Sequence, residues 1–326
     1  MGEFDLINTY FKRPTRQAVL GVGDDCAVLA LGPGMQLATS TDMLVEGRHF
    51  ISTVDPQRLG HKALAVNLSD LAACGARPLA FTLALALPSI DEHFLAGFSR
   101  GLLNLAQAQG CELIGGDTTR GPLTLCLTVY GEVPAGQALL RSGAQAGDEL
   151  YVSGTLGDAR LALEVLRGRV ALSGDGFEQA RQALEQPQPR VALGLALQGV
   201  AHSAIDVSDG LLGDLRHVLQ ASQVGARLNV DAVPRSAVLR GQPLDLQRDC
   251  TLAGGDDYEL LFTAAPADAS RVQTAARQAG VPVTRIGQIT ATAQELQLHD
   301  QDGQTVRRRW QGFDHFQAGQ SCASFS

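Results

Sequence analysis

Apolar positions along the chain follow two periods. Over residues 57–75 they recur at Leu59, Ala63, Leu64, Ala65, Leu68, Leu71 and Ala72, the spacing of a helix with one buried face, and the run stops at Gly75 ahead of Pro78. Further helices are predicted at 91–109, 157–167, 177–184, 189–200 and 209–222, with a short one at 4–11. Apolar runs bounded by turn residues predict strands at 26–31 and 36–41, parted by Gly32-Pro33-Gly34, and at 79–87, 111–114, 123–132, 149–153, 204–207, 260–264 and 283–290. Strands and helices mix throughout, which favours a layered α/β or α+β architecture over a bundle or a sandwich. A Gly- and Ala-rich stretch, 135–148, reads as a linker between a first block, 1–134, and a second, 149–326.

A length of 326 residues suits two domains, each with its own core. The longest apolar run, 78–88, is closed by proline at both ends and falls short of the roughly 20 residues a membrane helix needs. The opening Met1-Gly-Glu-Phe-Asp-Leu-Ile has an early acid and no basic-then-apolar pattern, so a cytoplasmic protein is expected. With 26 Lys and Arg against 34 Asp and Glu, the net charge of −8 argues against a broad nucleic-acid-binding surface. A single Trp, Trp310, argues against base-stacking platforms. Only Lys12 and Lys62 are lysines and neither lies in a P-loop, which excludes a Walker-type site. The six cysteines form no C-x-x-C pair, so reduced thiols are expected and zinc is not.

The acids are skewed, 23 Asp to 11 Glu, towards the short carboxylates that hard cations prefer. Five Asp-bearing motifs stand out: Gly21-Val-Gly-Asp-Asp25, Thr39-Ser-Thr-Asp42, Asn67-Leu-Ser-Asp70, Gly115-Gly-Asp-Thr-Thr119 and Asp206-Val-Ser-Asp-Gly210. Most follow a strand-like run, where the backbone turns at a sheet edge and side chains project into a common cleft. Carboxylates from separate segments can share Mg²⁺ ions bridged to a polyphosphate, and adjacent glycines let backbone N–H groups approach its oxygens. Each motif also has a plain structural account, because Asp beside Gly or Ser commonly forms turns and helix caps. Asp70 fits that account least, since it falls within a helix where Asp is intrinsically poor.

Taken in order, these motifs resemble the thiamine-monophosphate kinase family, of the superfamily of aminoimidazole ribonucleotide synthetase and selenophosphate synthetase. The segments that carry the resemblance also include Ser40-Thr-Asp-Met-Leu-Val-Glu-Gly-Arg-His-Phe50, Lys62–Ala73, Leu113–Gly121, Gly254-Gly-Asp-Asp-Tyr-Glu-Leu-Leu261 and Gly312-Phe-Asp-His315. The resemblance implies an N-terminal α/β domain whose mixed sheet joins a second subunit's in a homodimeric barrel, a C-terminal α+β domain, and ATP in the cleft between them. It implies transfer of a phosphoryl group from ATP, as co-substrate, to thiamine monophosphate, with several Mg²⁺ ions. Position by position, Asp25, Ser40, Thr41, Asp42, Asp70, Asp117, Asp206 and Asp209 resemble metal ligands. Gly116, Asp117, Arg141 and Ser208 resemble nucleotide contacts, and His49, Glu259 and Phe313 resemble substrate contacts.

Physical chemistry accommodates those roles. Arg141 can grip a phosphate with two parallel hydrogen bonds, Glu259 suits a cationic ring or aminopyrimidine, and Phe313 can stack on one. The acceptor phosphate is already ionised near neutral pH, its second pKa being about 6, so neither a general base nor a covalent phospho-enzyme is expected. Two other readings stay open. One is a synthetase relative, although the reactive Cys with nearby Lys of selenophosphate synthetase has no counterpart. The other is a nucleotide-binding maturation scaffold, although Cys322 is not at the extreme C-terminus.

Overall fold

The computed structural model describes residues 2–22, 26–308 and 310. The chain forms two compact units, the first over residues up to 71 together with 76–136, the second over 72–75 and from 137 onwards.

In the first unit a short helix α1 (Glu3–Leu6) widens into a π turn (Ile7–Phe11) and is followed by a small hairpin, β1 (Ala18–Leu20) and β2 (Val28–Leu29). The body is β3 (Met35–Val45), α2 (Pro56–Ala73), β4 (Arg77–Leu87), α3 (Glu92–Ala108), β5 (Glu112–Arg120) and β6 (Thr124–Pro134). The sheet order is β3-β6-β4-β5, with β4 and β5 parallel and the other two pairings antiparallel, so the sheet is mixed as expected. On β6, Leu125, Leu127 and Val129 are fully buried while Cys126, Thr128 and Tyr130 between them are half-buried, the alternation of a sheet covered on one face. Helices α2 and α3 supply the apolar side chains Leu64, Leu68, Leu95, Phe98 and Leu102, all buried. Their backbones touch: a Cβ on Gly60 would lie 2.0 Å from the Phe98 carbonyl oxygen, and one on Gly101 1.8 Å from that of Gln57. Asp91 caps α3, accepting from the N–H groups of His93 and Phe94.

The second unit comprises β7 (Glu149–Ser153), α4 (Asp158–Leu166), α5 (Gly174–Glu185), α6 (Val191–Ala196), β8 (Ser203–Asp206), α7 (Leu211–Ser222), β9 (Gly225–Asn229), α8 (Ala237–Arg240), α9 (Leu244–Ala253), β10 (Leu260–Ala264), α10 (Ala269–Ala279), β11 (Val283–Thr290) and β12 (Leu296–His299). Its six strands run in the order β12-β9-β11-β7-β10-β8, antiparallel except for β12 beside β9. One face packs on α7 through Leu211, Leu215, Val218 and Leu219, in a core closed by Trp310. Among the described residues no helix is long and apolar enough to cross a membrane.

Several boundaries differ from the sequence reading in ways that matter for the site. The strand expected at 36–41 runs on to Val45, and the one expected at 111–114 runs on to Arg120. The motifs Thr39–Asp42 and Gly115–Thr119 therefore lie inside hydrogen-bonded ladders rather than at turns beyond a strand end. The strand at 26–31 shrinks to Val28–Leu29 and the helix at 189–200 to Val191–Ala196. Strands β1, β9 and β12 and helices α8, α9 and α10 had no counterpart in the apolar pattern.

Candidate active site

The first unit places one acidic cluster on its helix-covered face. Asn67 and Asp70 stand three residues apart on α2, and so on one side of it, facing Ser40 and Asp42 two residues apart on edge strand β3. Ser40 donates its hydroxyl to Asp70 Oδ2 at 2.5 Å, and the Asp42 N–H, on the open edge of the ladder, donates to Asn67 Oδ1 at 3.0 Å. Asn67 in turn donates to the Ala63 carbonyl at 3.0 Å, which fixes its amide. Ser40, Asp42 and Asp70 are half-buried. Thr41 points to the opposite face, its hydroxyl 2.8 Å from that of Thr128.

Asp117 does not join this cluster. The register sets Asp117 beside Ala84, Ala84 beside Cys126 and Cys126 beside Met43, so Asp117 shares a row and a face with Met43, not Asp42. It also lies on the far edge strand, three strand spacings of about 4.8 Å away, or roughly 14 Å. A common pocket for Asp42, Asp70 and Asp117 within one chain is corrected accordingly: strand pairing, not motif similarity, sets which way an acid points. Among the described residues no group of three or more His, Cys, Asp or Glu is arranged to hold a metal ion. Gly116 is required by the ladder itself, with φ at 151° and the Leu83 carbonyl oxygen 1.9 Å from where a Cβ would stand. His49 follows β3 in a turn, and its Nδ1 accepts the Val45 N–H at 3.0 Å, which leaves the proton of the neutral ring on Nε2.

In the second unit Asp206 ends β8 and is buried, Ser208 is half-buried and Asp209 exposed ahead of α7. Both the Ser208 and Asp209 N–H groups donate to Asp214 Oδ2 at 3.1 Å. Those donors are therefore engaged within the protein, and Ser208 can meet a phosphate through its hydroxyl. Burial, and then the neighbouring Asp209 charge, push the Asp214 carboxyl up to about 7, against the pull of the two N–H groups and of Arg141. Arg141 is thus within electrostatic reach of this turn; it is exposed, and its carbonyl accepts from Ser222 at the end of α7.

The loop after α9 packs against the same turn: Asp256 N–H donates to the Ser208 carbonyl at 2.9 Å and Tyr258 N–H to that of Val207 at 2.8 Å. Asp256 and Tyr258 hold positive φ, 66° and 51°, a strained arrangement that aims Asp257 and Glu259 inward. Asp257 Oδ1 accepts the Gly157 N–H at 2.8 Å, whereas Oδ2 is buried without a partner. Burial holds that carboxyl well above the usual range, and the charges of Glu259, Asp158 and Asp256 add to it. Glu259 is buried against Arg190 and Ser153.

Asp25 and Phe313 lie outside the described residues. Asn67 lies in the motif Asn67-Leu-Ser-Asp70, of which the sequence singles out only the acid. Asp214 was signalled only as an acid in a helix's first turn, and Arg190 had no signal beyond the Pro187-Gln-Pro189 break before it.

Residues 23–133 match the family described as AIR synthase related protein, N-terminal domain, and residues 145–299 match the corresponding C-terminal domain. The chain is 47% identical over 320 residues to a thiamine-monophosphate kinase of Salmonella typhimurium, covering 97% of this chain and 98% of that one. It is similar to the crystal structure of the thiamine-monophosphate kinase of Stenotrophomonas maltophilia, with a TM-score of 0.83 at 46% identity over 89% of this chain and 92% of that one. A structure of AaThiL complexed with AMPPCP and TMP is similar with a TM-score of 0.76 at 28% identity, over 88% and 89%.

Proposed function

Since the chain belongs to the AIR synthase related family and, within it, to the thiamine-monophosphate kinases, we infer that it phosphorylates thiamine monophosphate with ATP. The observation that carries this is the 47% identity sustained over 97% of the chain. The reaction forms a bond between an acceptor phosphate oxygen and the γ-phosphorus of ATP, breaks the bond from that phosphorus to the β,γ-bridging oxygen, and releases ADP. The acceptor oxygen needs no deprotonation near neutral pH, since the second pKa of a phosphate monoester is about 6. The difficulty is repulsion between two polyanions, and the protein's part is positioning and neutralisation.

Magnesium fits the donors present. Ser40, Asp42 and Asp70 offer hard oxygens on one half-buried face, with no nitrogen or sulfur among them. These residues, with Asp25, would hold it on the first unit, and Asp206 and Asp209 would serve the second. Bound there, Mg²⁺ supplies positive charge to the phosphates. Asp117 and Gly116, on their own strand, are assigned to the nucleotide with Arg141 and Ser208. His49, Glu259 and Phe313 are assigned to the acceptor. Residues 1–134 would then carry metal and ATP binding and subunit pairing, and 149–326 form the second domain after the 135–148 linker. The enzyme acts in the cytoplasm as a homodimer, a reading supported by the exposed Leu37 and Met43 on β3, on the sheet face away from α2 and α3.

Incubation with ATP, Mg²⁺ and thiamine monophosphate should yield ADP and thiamine diphosphate in equal amounts by chromatography. ATP hydrolysis without the diphosphate, or a phosphorylated side chain trapped during turnover, would overturn the reading.

A further inference from the structure

Arg190, the residue before α6, donates from Nε to Glu259 Oε2 at 2.6 Å and from Nη2 to Oε1. Ser153, ending β7, donates its hydroxyl to Oε2 at 2.5 Å while accepting the Leu260 N–H at 2.8 Å. Gly154, with φ at 58°, closes another side, for a Cβ there would stand 2.0 Å from Oε1. The Glu259 side chain is 6% exposed and that of Arg190 21%. Both oxygens of Glu259 thus carry charge-assisted or hydroxyl donors inside a tight wall, which leaves them little to offer a cationic ring. Arg190 is in the opposite state. Gripped along its Nε–Nη2 edge, the planar guanidinium has its remaining donors on Nη1 and the outer side of Nη2, held in a fixed orientation. The pair also adjoins the metal-and-nucleotide turn, because the Glu259 carbonyl accepts the Val207 N–H at 2.8 Å.

The geometry points to Arg190 as a substrate contact: its outward guanidinium edge takes the phosphate oxygens of the acceptor, and Glu259 is the positioning residue that holds it. The inference rests on the kinase reading and moves the contact from the acid to the base. A fixed cation at this point offsets the charge of one of the two anions that must meet. Nucleotide phosphates present the same chemistry, so the test uses three ligands.

Wild-type protein is assayed first for thiamine diphosphate; if none forms, the kinase reading fails and this inference falls with it. Affinities for thiamine monophosphate, for thiamine and for a non-hydrolysable ATP analogue are then measured by calorimetry on wild type, Arg190→Gln, Arg190→Lys, Glu259→Gln and the double variant Arg190→Gln/Glu259→Gln, with a thermal melt of each. Arg190→Gln is expected to weaken thiamine monophosphate at least tenfold while thiamine and the ATP analogue stay within twofold. Arg190→Lys should recover part of the loss, and the double variant should bind as weakly as Arg190→Gln. Glu259→Gln should lose less, again only for the phosphorylated ligand. Weakened thiamine binding in Glu259→Gln would return the contact to the acid. Recovery in the double variant would reduce Arg190 to a counter-ion, and loss confined to the ATP analogue would assign it to the nucleotide; either overturns the inference. Should Arg190→Gln not fold, Arg190→Lys and the double variant carry the comparison, since neither leaves Glu259 as a buried unpaired charge.

Discussion

An aspartate inside a helix gains nothing from the backbone and costs it roughly half a kcal/mol against better helix formers, so Asp70 on α2 asks for a reason. The Ser40 hydroxyl at 2.5 Å and Asp42 on the same side fit the metal-binding role proposed above. Asp42→Asn and Asp70→Asn each keep an acceptor of the same shape, and the amide oxygen introduced by Asp70→Asn can still receive the Ser40 hydroxyl. Both variants should therefore melt within a few degrees of wild type yet lose about 100-fold or more in turnover at saturating ATP, about 2.7 kcal/mol of barrier. Chelation by EDTA should abolish wild-type turnover and added Mg²⁺ should restore it. Unfolding of either variant would instead mean that the acids are structural. Asp257 yields a pH test of opposite sign to the usual acid. Its folded pKa lies above the unfolded one, so the unfolded chain releases this proton first, and stability falls as pH rises from the unfolded value towards the folded one. Asp158, also raised by burial and relieved by the Ser236 hydroxyl, adds to that slope. Asp257→Asn should flatten the decline of melting temperature as pH rises above the ordinary carboxylate value of about 4, and an unchanged slope would exclude Asp257 as its source.

At the scale of elements, the ladder between β4 and β5 tolerates only glycine at 116, with its φ of 151° and the Leu83 carbonyl oxygen where a Cβ would go. Gly116→Ala should destabilise the protein by about 3 kcal/mol, read from denaturant midpoints. Near-wild-type stability would show that the ladder can shift. The same strand shows where the sequence stops being informative. Helices α2, α3 and α7 were legible because each buries a broad apolar stripe, and β4 and β6 because their apolar runs are long. α10 buries only Val272, Ala275 and Ala276, and β12 is a four-residue edge strand with half-buried positions, so neither has a pattern to read. For the site, the Ser40, Asp42 and Asp70 cluster was legible as motifs, Asp70 within a helix and Ser40 and Asp42 at the expected end of a strand that in fact runs on to Val45. The side on which Asp117 emerges was not, because it depends on register through two intervening strands. Nor was Arg190, whose partner is 69 residues away behind a proline-bracketed turn.

For the whole molecule, the four-stranded sheet poses a problem that a single chain does not solve. One face is covered by α2 and α3. The other leaves Leu37 51% and Met43 54% exposed on β3, flanking Thr39 and Thr41, with Asp117 in the same row as Met43. A sheet normally buries its apolar positions against another layer, and an edge strand of 11 residues is a ready pairing template. A second copy of the chain, as proposed above, would supply that layer with the self-complementary face that two-fold symmetry requires. It would also enclose the row holding Asp117, so the acid that the ladder sets apart from Asp42 would work in surroundings built by both chains. Light scattering on wild type should then give twice the 34.4 kDa of one chain. Met43→Glu combined with Leu37→Glu should give 34.4 kDa with its far-UV spectrum intact, because both side chains already face outward and no intrachain core is touched. Kinase turnover should fall with the loss of the dimer. A monomeric wild type would remove the second chain from the account, and a fully active monomeric double variant would show that one chain completes the site alone.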